Sequence, residues 1–173
     1  MTSPKRSEFN TVVEENLERV YRIALRMVCS CADAEDIAQN VFTEAYRIHV
    51  GKAIENWPAY LTRLAAHRSL DFMRERRRRP SVIYKDVPDR AYDPHAELEA
   101  KEIATWLRSE IALLPDQQAM VFSLVCIEEL TRAEVAAIVG TSVESVSTTL
   151  YKARKKLEQR FDAWQKGATY ESR

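Results

Sequence analysis

The chain has 173 residues, room for one ordinary domain or two small ones. Apolar residues make up 46%, enough for a packed core, which excludes a generally disordered chain. Twenty-six basic and 26 acidic residues cancel, so net charge names no partner and only the distribution of charge is informative.

Three glycines and a helix-friendly composition point to an all-α protein. The opening MTSPKRSEFN lacks the apolar centre of a signal peptide, and no stretch approaches the roughly 20 apolar residues of a membrane span. The expected location is the cytoplasm. In residues 10–28, Val13, Leu17, Val20, Tyr21, Ala24 and Val28 recur at spacings of three and four, which predicts an amphipathic helix capped by Asn10 or Thr11. A second helix is expected from about Asp33, with Ile37, Val41, Ala45 and Ile48 on its inner side. VGKAIEN, residues 50–56, breaks the pattern. A third helix is expected from Trp57 and Pro58, since Pro is tolerated in a first turn, running into the basic block RERRRR. Trp57, Leu61, Leu64, Ala65 and Phe72 form its inner side, while Arg63, His67 and Arg74 share another stripe with Leu70.

Residues 80–95 hold Pro80, Pro88 and Pro94 without helical period, which marks a flexible linker. The chain thus divides into residues 1–79, a linker over 80–95 and residues 96–173, two small helical domains. In the second, residues 96–114 are amphipathic through Leu98, Ile103, Leu107 and Ile111. After Pro115, residues 116–129 read as a core helix. Thr131 with Glu134, and Thr141 with Glu144, each have capping-box spacing. The last helix carries Leu157, Phe161 and Trp164 along its apolar stripe.

TRAEVAAIVGTSVESVSTTLYKAR has the spacing of a helix-turn-helix. Ala136 is small where two helices approach, and Gly140 suits a turn residue of positive φ. Val146 and Leu150 face inward. Ser145, Thr148, Lys152 and Lys155, with Ser147 and Tyr151 beside them, face out, where hydroxyls and ammoniums meet base edges and phosphates. A helical hairpin with a polar outer side is the plain alternative. Upstream, DAEDIAQNVFTEAYR packs Asp33, Glu35, Asp36, Gln39 and Asn40 into the front of a helix. A solvated face, a charge cluster complementing the helix dipole and a docking face for a basic partner all fit that pattern.

Cys29, Cys31 and Cys126 have no metal-site spacing, and His49, His67 and His95 are scattered. No nucleotide loop or triad is present, so no catalytic residue, metal or cofactor is expected.

Several motifs together resemble the extracytoplasmic-function (group IV) sigma factors of bacterial RNA polymerase, a branch of the sigma-70 family. DAEDIAQNVF is similar to region 2.2, with Ala34, Glu35, Asp36 and Gln39 in place. AYLTRLAAHRSLDFMRERRRR is similar to region 2.4, LPDQQAMVFSL to region 4.1, and the helix-turn-helix to region 4.2. The resemblance spans roughly residues 10–161 in order. It implies two helical domains on the polymerase core, reading the −10 and −35 promoter elements. Glu35, Asp36, Gln39 and Asn40 would dock on the β′ clamp helices, and the second domain on the β flap. Lys52 and Asn56, with Arg63, His67 and Arg74, would capture melted −10 DNA. Ser147, Thr148, Tyr151, Lys152 and Lys155 would read the −35 duplex. An anti-sigma factor, often membrane-anchored, is the implied restraint. His67 stands where the family often has Asn, and Glu144, Ser145, Ser147 and Thr149 make the recognition helix less basic than usual. Outside the resemblance, a dimeric helix-turn-helix regulator or a helical interaction adaptor would share these patterns.

Overall fold

The computed structural model describes residues 4–51, 53–78 and 94–171, with side chains over 8–51, 53–78 and 100–166. Among the described residues the chain is helical: α1 (Pro4–Val28), α2 (Cys31–Gly51), α3 (Trp57–Arg78), α4 (Pro94–Ile111), α5 (Asp116–Phe122), α6 (Arg132–Val139) and α7 (Val143–Glu171), with a π-helical turn (Ser123–Ile127) after α5. Most of the expected linker, residues 80–93, lies outside the described residues, and α4 takes in its last two, Pro94 and His95.

Helices α1, α2 and α3 pack on one another as a bundle. Its seam is rich in alanine: Ala24, Ala34, Ala38, Ala45, Ala65 and Ala66 are all buried, which lets the helix axes approach closely. Val20, Met27, Val41 and Leu61 fill the space between them. Two helix starts differ from expectation. Helix α1 begins at Pro4, six residues before Asn10, because Phe9 is buried against the ends of α2 and α3. Helix α2 begins at Cys31, because Ser30 is its cap: the Ser30 hydroxyl accepts from the Asp33 amide at 3.4 Å, and the Ser30 carbonyl accepts from the Ala34 amide at 2.9 Å. Leu17, expected inside, is 49% exposed, since none of the described residues covers it.

The second bundle is centred on α7, against which α4, α5 and α6 pack. Val146, Leu150, Ala153 and Leu157 form its buried stripe. Trp106 of α4 closes the far end on Phe161 and Trp164, with ring centroids 5.1 and 5.7 Å away. The expected core helix after Pro115 is interrupted. It widens to a π turn at Ser123, where the Glu128 amide reaches back to the Ser123 carbonyl at 3.0 Å, and Glu129 then turns with a left-handed φ of 56°.

Helix α3 joins the two bundles, touching α4, α5 and α6. Its arginines satisfy carbonyls where α4 ends, groups with no partner inside their own helix. Arg77 donates to the Ser109 carbonyl at 2.6 Å. Arg74 donates to the carbonyls of Ala112 and Leu114, both at 3.3 Å, and pairs with Asp116 at 2.9 Å. From α1, Arg26 donates to the Ile127 carbonyl at 3.2 Å.

Candidate nucleic-acid and polymerase interface

Three exposed surfaces carry the residues singled out in the sequence. On α2, Glu35, Asp36, Gln39 and Asn40 all point to solvent, while Ile37, Ala38 and Val41 point into the bundle. Of the acidic residues, only Asp33 lies in the first turn, and Asp33 is buried. The dipole explanation for Glu35 and Asp36 is therefore weak, because that field fades beyond the first turn. Neither carboxylate has an ion pair among the described residues.

At the start of α3, Asn56 caps the helix: its Oδ1 accepts from the Ala59 amide at 3.0 Å, leaving the Nδ2 donors. Arg63 and His67 follow on the exposed side of α3. Next to them Arg68 donates to one Glu44 oxygen through Nε at 2.8 Å and through Nη2, and also pairs with Asp71 at 3.0 Å. The Glu44 hydrogen bond is the main cause of an upward shift of the Arg68 pKa. Asp71 also faces His67 Nδ1 at 3.4 Å. Arg74 touches this group only through Asp71, at 4.0 Å; its guanidinium is engaged more closely at the α4–α5 turn, although its stripe starts at Arg63. Lys52 lies outside the described residues.

The helix-turn-helix is formed by α6 and α7. Thr131 caps α6 with a complete capping box: its hydroxyl accepts from the Glu134 amide at 3.3 Å, and the Glu134 carboxylate accepts from the Thr131 amide at 2.8 Å. The Thr131 hydroxyl, then the Thr131 backbone, hold the Glu134 carboxyl below its ordinary range. A lowered carboxyl pKa stabilises above the ordinary glutamate range and loses that contribution as pH falls through the lower, folded value. Thr131→Ala is expected to cost about 1 kcal/mol at neutral pH. The difference from wild type should shrink as pH drops below about 4, as read by thermal melts across pH.

Gly140 ends α6 at φ 75° and ψ 47°, as its place in the turn requires. The expected Thr141–Glu144 box is replaced by Ser142, whose hydroxyl accepts from the Ser145 amide at 3.1 Å, because α7 starts at Val143. Thr148, Lys152 and Lys155 are exposed on α7, and Tyr151 is 65% exposed. Ser147 is half-buried; its hydroxyl donates to the Val143 carbonyl at 2.9 Å and accepts from Arg132 at 3.5 Å. Arg132, overlooked in the sequence, thereby extends this face from the first residue of α6. Its only signal was its place beside the cap.

A cleft between the bundles is lined by Arg19, Arg22 and Arg26 of α1 and by Glu128, Glu129 and Glu134 opposite. Burial pushes the Glu128 carboxyl up, against the opposing pull of Arg26 and Arg22. The three arginines were also missed, although their spacing on α1 puts them on one side. Among the described residues no group of His, Cys, Asp or Glu is arranged to hold a metal ion. Cys29, Cys31 and Cys126 are free thiols.

Comparison with known proteins gives this arrangement a family. Sigma-70 region 2 matches residues 12–79, and Sigma-70, region 4 matches residues 98–157. The ECF RNA polymerase sigma factor SigW of Bacillus subtilis is 24% identical over 168 residues, covering 87% of each chain. SigM of Bacillus subtilis is 27% identical over 147 residues, covering 80% of this chain and 86% of the relative. SigE of Mycolicibacterium smegmatis is 26% identical over 153 residues; the match takes in 86% of this chain but 60% of that longer relative. Among solved structures, CnrH in complex with the cytosolic domain of CnrY aligns with a TM-score of 0.53 at 22% identity, over 90% of this chain and 88% of that one. The sigma factor RpoE of Bartonella quintana, in complex with the anti-sigma factor NepR, aligns with a TM-score of 0.51 at 17% identity, over 90% and 97%. Matched in order through both of its regions, the chain belongs to the sigma-70 family, and its relatives SigW, SigM and SigE are extracytoplasmic-function members of that family.

Proposed function

We propose that this protein is a promoter-specificity subunit: it binds the RNA polymerase core and directs initiation by recognising −10 and −35 elements. The observation that carries this reading is the ordered pair of sigma regions, with an acidic-amide face on the first and an exposed recognition helix on the second. It is a binding protein rather than an enzyme. Among the described residues no helix is long and apolar enough to cross a membrane, and the cytoplasm, where core and promoter DNA are, is its proposed place of action.

In this reading Glu35, Asp36, Gln39 and Asn40 dock on the β′ clamp helices, and the second bundle meets the β flap. Asn56, Arg63 and His67, with Lys52, take the melted −10 strand, whose unstacked bases need hydrogen bonds to their edges and cations along the backbone. Arg74 joins them only after giving up the carbonyls of Ala112 and Leu114 and its pairing with Asp116. Ser147, Thr148 and Tyr151 read the −35 duplex, with Lys152 and Lys155 on phosphates. The anti-sigma factor in the RpoE complex supports restraint by such a partner.

The test is transcription by purified core and this protein on a promoter library. Specific initiation, with both elements enriched, is expected. Failure to bind core, alongside tight duplex binding by the protein alone, would instead mark a free-standing helix-turn-helix regulator. Within the same assay, Lys152→Ala should weaken −35 binding evenly across sequences and lower the salt slope of binding by about 1. A change in −35 base preference would mean that Lys152 reads bases.

A further inference from the structure

The first two turns of α1 lie ahead of residue 12, where the match to sigma region 2 begins. Phe9 ties this stretch of α1 to the rest of the bundle. It is only 6% exposed, and its ring meets three others: Tyr46 at 5.1 Å edge-on, His49 at 5.8 Å stacked and Trp57 at 5.6 Å edge-on. His49 and Trp57 also meet each other at 5.4 Å, and Tyr60 extends the cluster from Trp57 at 6.1 Å. These separations and angles are those of favourable aromatic pairs.

The placement of the cluster matters more than its energy. Tyr46 and His49 come from the last turns of α2, and Trp57 and Tyr60 from the first turns of α3. Residues 53–56 leave one stem of this cluster and rejoin the chain at the other, so the distance between their ends is set by ring contacts. Phe9 touches both stems. Among the described residues, both ring nitrogens of His49 are buried without a hydrogen-bond partner. No polar contact among those residues steers that ring, which is held by packing against Phe9 and Trp57. Asn56 sits directly before Trp57, and its backbone carbonyl accepts from the Tyr60 amide at 3.0 Å, in the start of α3 that Trp57 anchors.

We infer that Phe9 is a positioning residue for −10 recognition: from α1 it clamps the end of α2 to the start of α3 and so fixes where Asn56 meets the DNA. The inference rests on the −10 role proposed above for Asn56 and the exposed side of α3. Phe9 touches no DNA in this scheme. It acts through the geometry of the segment it braces, and recognition groups tolerate only small displacements. The two turns of helix ahead of the matched region then have a purpose beyond burying one ring.

The test uses the full-length protein with core polymerase. Phe9→Ala and the milder Phe9→Leu are compared with wild type in core affinity, in permanganate reactivity of the −10 region, and in the ratio of transcription from intact and −10-substituted promoters. Both variants are expected to lower opening of the intact promoter, by about tenfold for Phe9→Ala. Both should narrow the intact-to-substituted ratio while core affinity stays within about twofold. If Phe9→Ala fails to fold by circular dichroism, Phe9→Leu carries the same test. Opening and ratio unchanged in a folded variant, or losses that only track core affinity, would overturn the inference. Asn56→Ala separates the two layers. If Asn56→Ala impairs −10 discrimination and the Phe9 variants do not, only the role of Phe9 fails. If Asn56→Ala also has no effect, the −10 assignment itself fails and the inference with it.

Discussion

Asp36→Lys combined with Gln39→Ala should weaken core binding by about a hundredfold, or roughly 2.7 kcal/mol, and leave the melting temperature within about 2 °C of wild type. Both residues are exposed, in the second and third turns of α2, and the bundle core uses neither side chain. Surface changes of this kind usually shift stability by less than about 0.5 kcal/mol. A lysine at position 36 would face the partner with the wrong charge, which raises the cost of association above that of a simple truncation. Core titration by fluorescence anisotropy, paired with a thermal melt, checks both halves. A lost fold at unchanged core affinity for the remaining folded protein would return this stripe to a structural role.

The second large effect separates two adjacent residues on α7. Leu150 is 2% exposed and Tyr151 is 65% exposed. Leu150→Ala should cost about 2–5 kcal/mol, since it removes buried methyl groups and leaves a cavity between α7 and its neighbours. A bundle of this size has little stability to spare, so the helix-turn-helix should melt first and −35 binding should go with it. Tyr151→Ala should leave the melt unchanged and weaken −35 binding alone, by about tenfold. The check is differential scanning calorimetry beside duplex binding for each variant. Equal loss of stability in both would mean that α7 is rotated from the position described.

Much of this molecule could be read before any coordinates were known. The helical class, the break before Trp57 (though α2 runs on through Gly51, past the expected start of the break at 50), the capping box at Thr131 and the turn at Gly140 all follow from local chemistry. A hydroxyl three residues before a carboxylate, or a glycine between two amphipathic stretches, acts within one turn of chain. The exposed faces of α2 and α7 were likewise legible, because helical period alone divides each helix into an inner and an outer side.

Tertiary structure decided what depends on residues far apart in the chain. Phe9 extends α1 to Pro4 because its ring finds Tyr46, His49 and Trp57, none of which is near it in sequence. Arg74 shares a stripe with Arg63 and His67, yet its guanidinium goes to carbonyls 38 and 40 residues away, where α4 runs out of internal partners. The π turn at Ser123 is equally invisible to periodicity; it turns Glu128 toward the arginines of α1. The physical reason is common to all three. Sequence pattern determines which side of a helix is apolar, whereas unpaired carbonyls and ring edges are satisfied by whatever the fold brings to them.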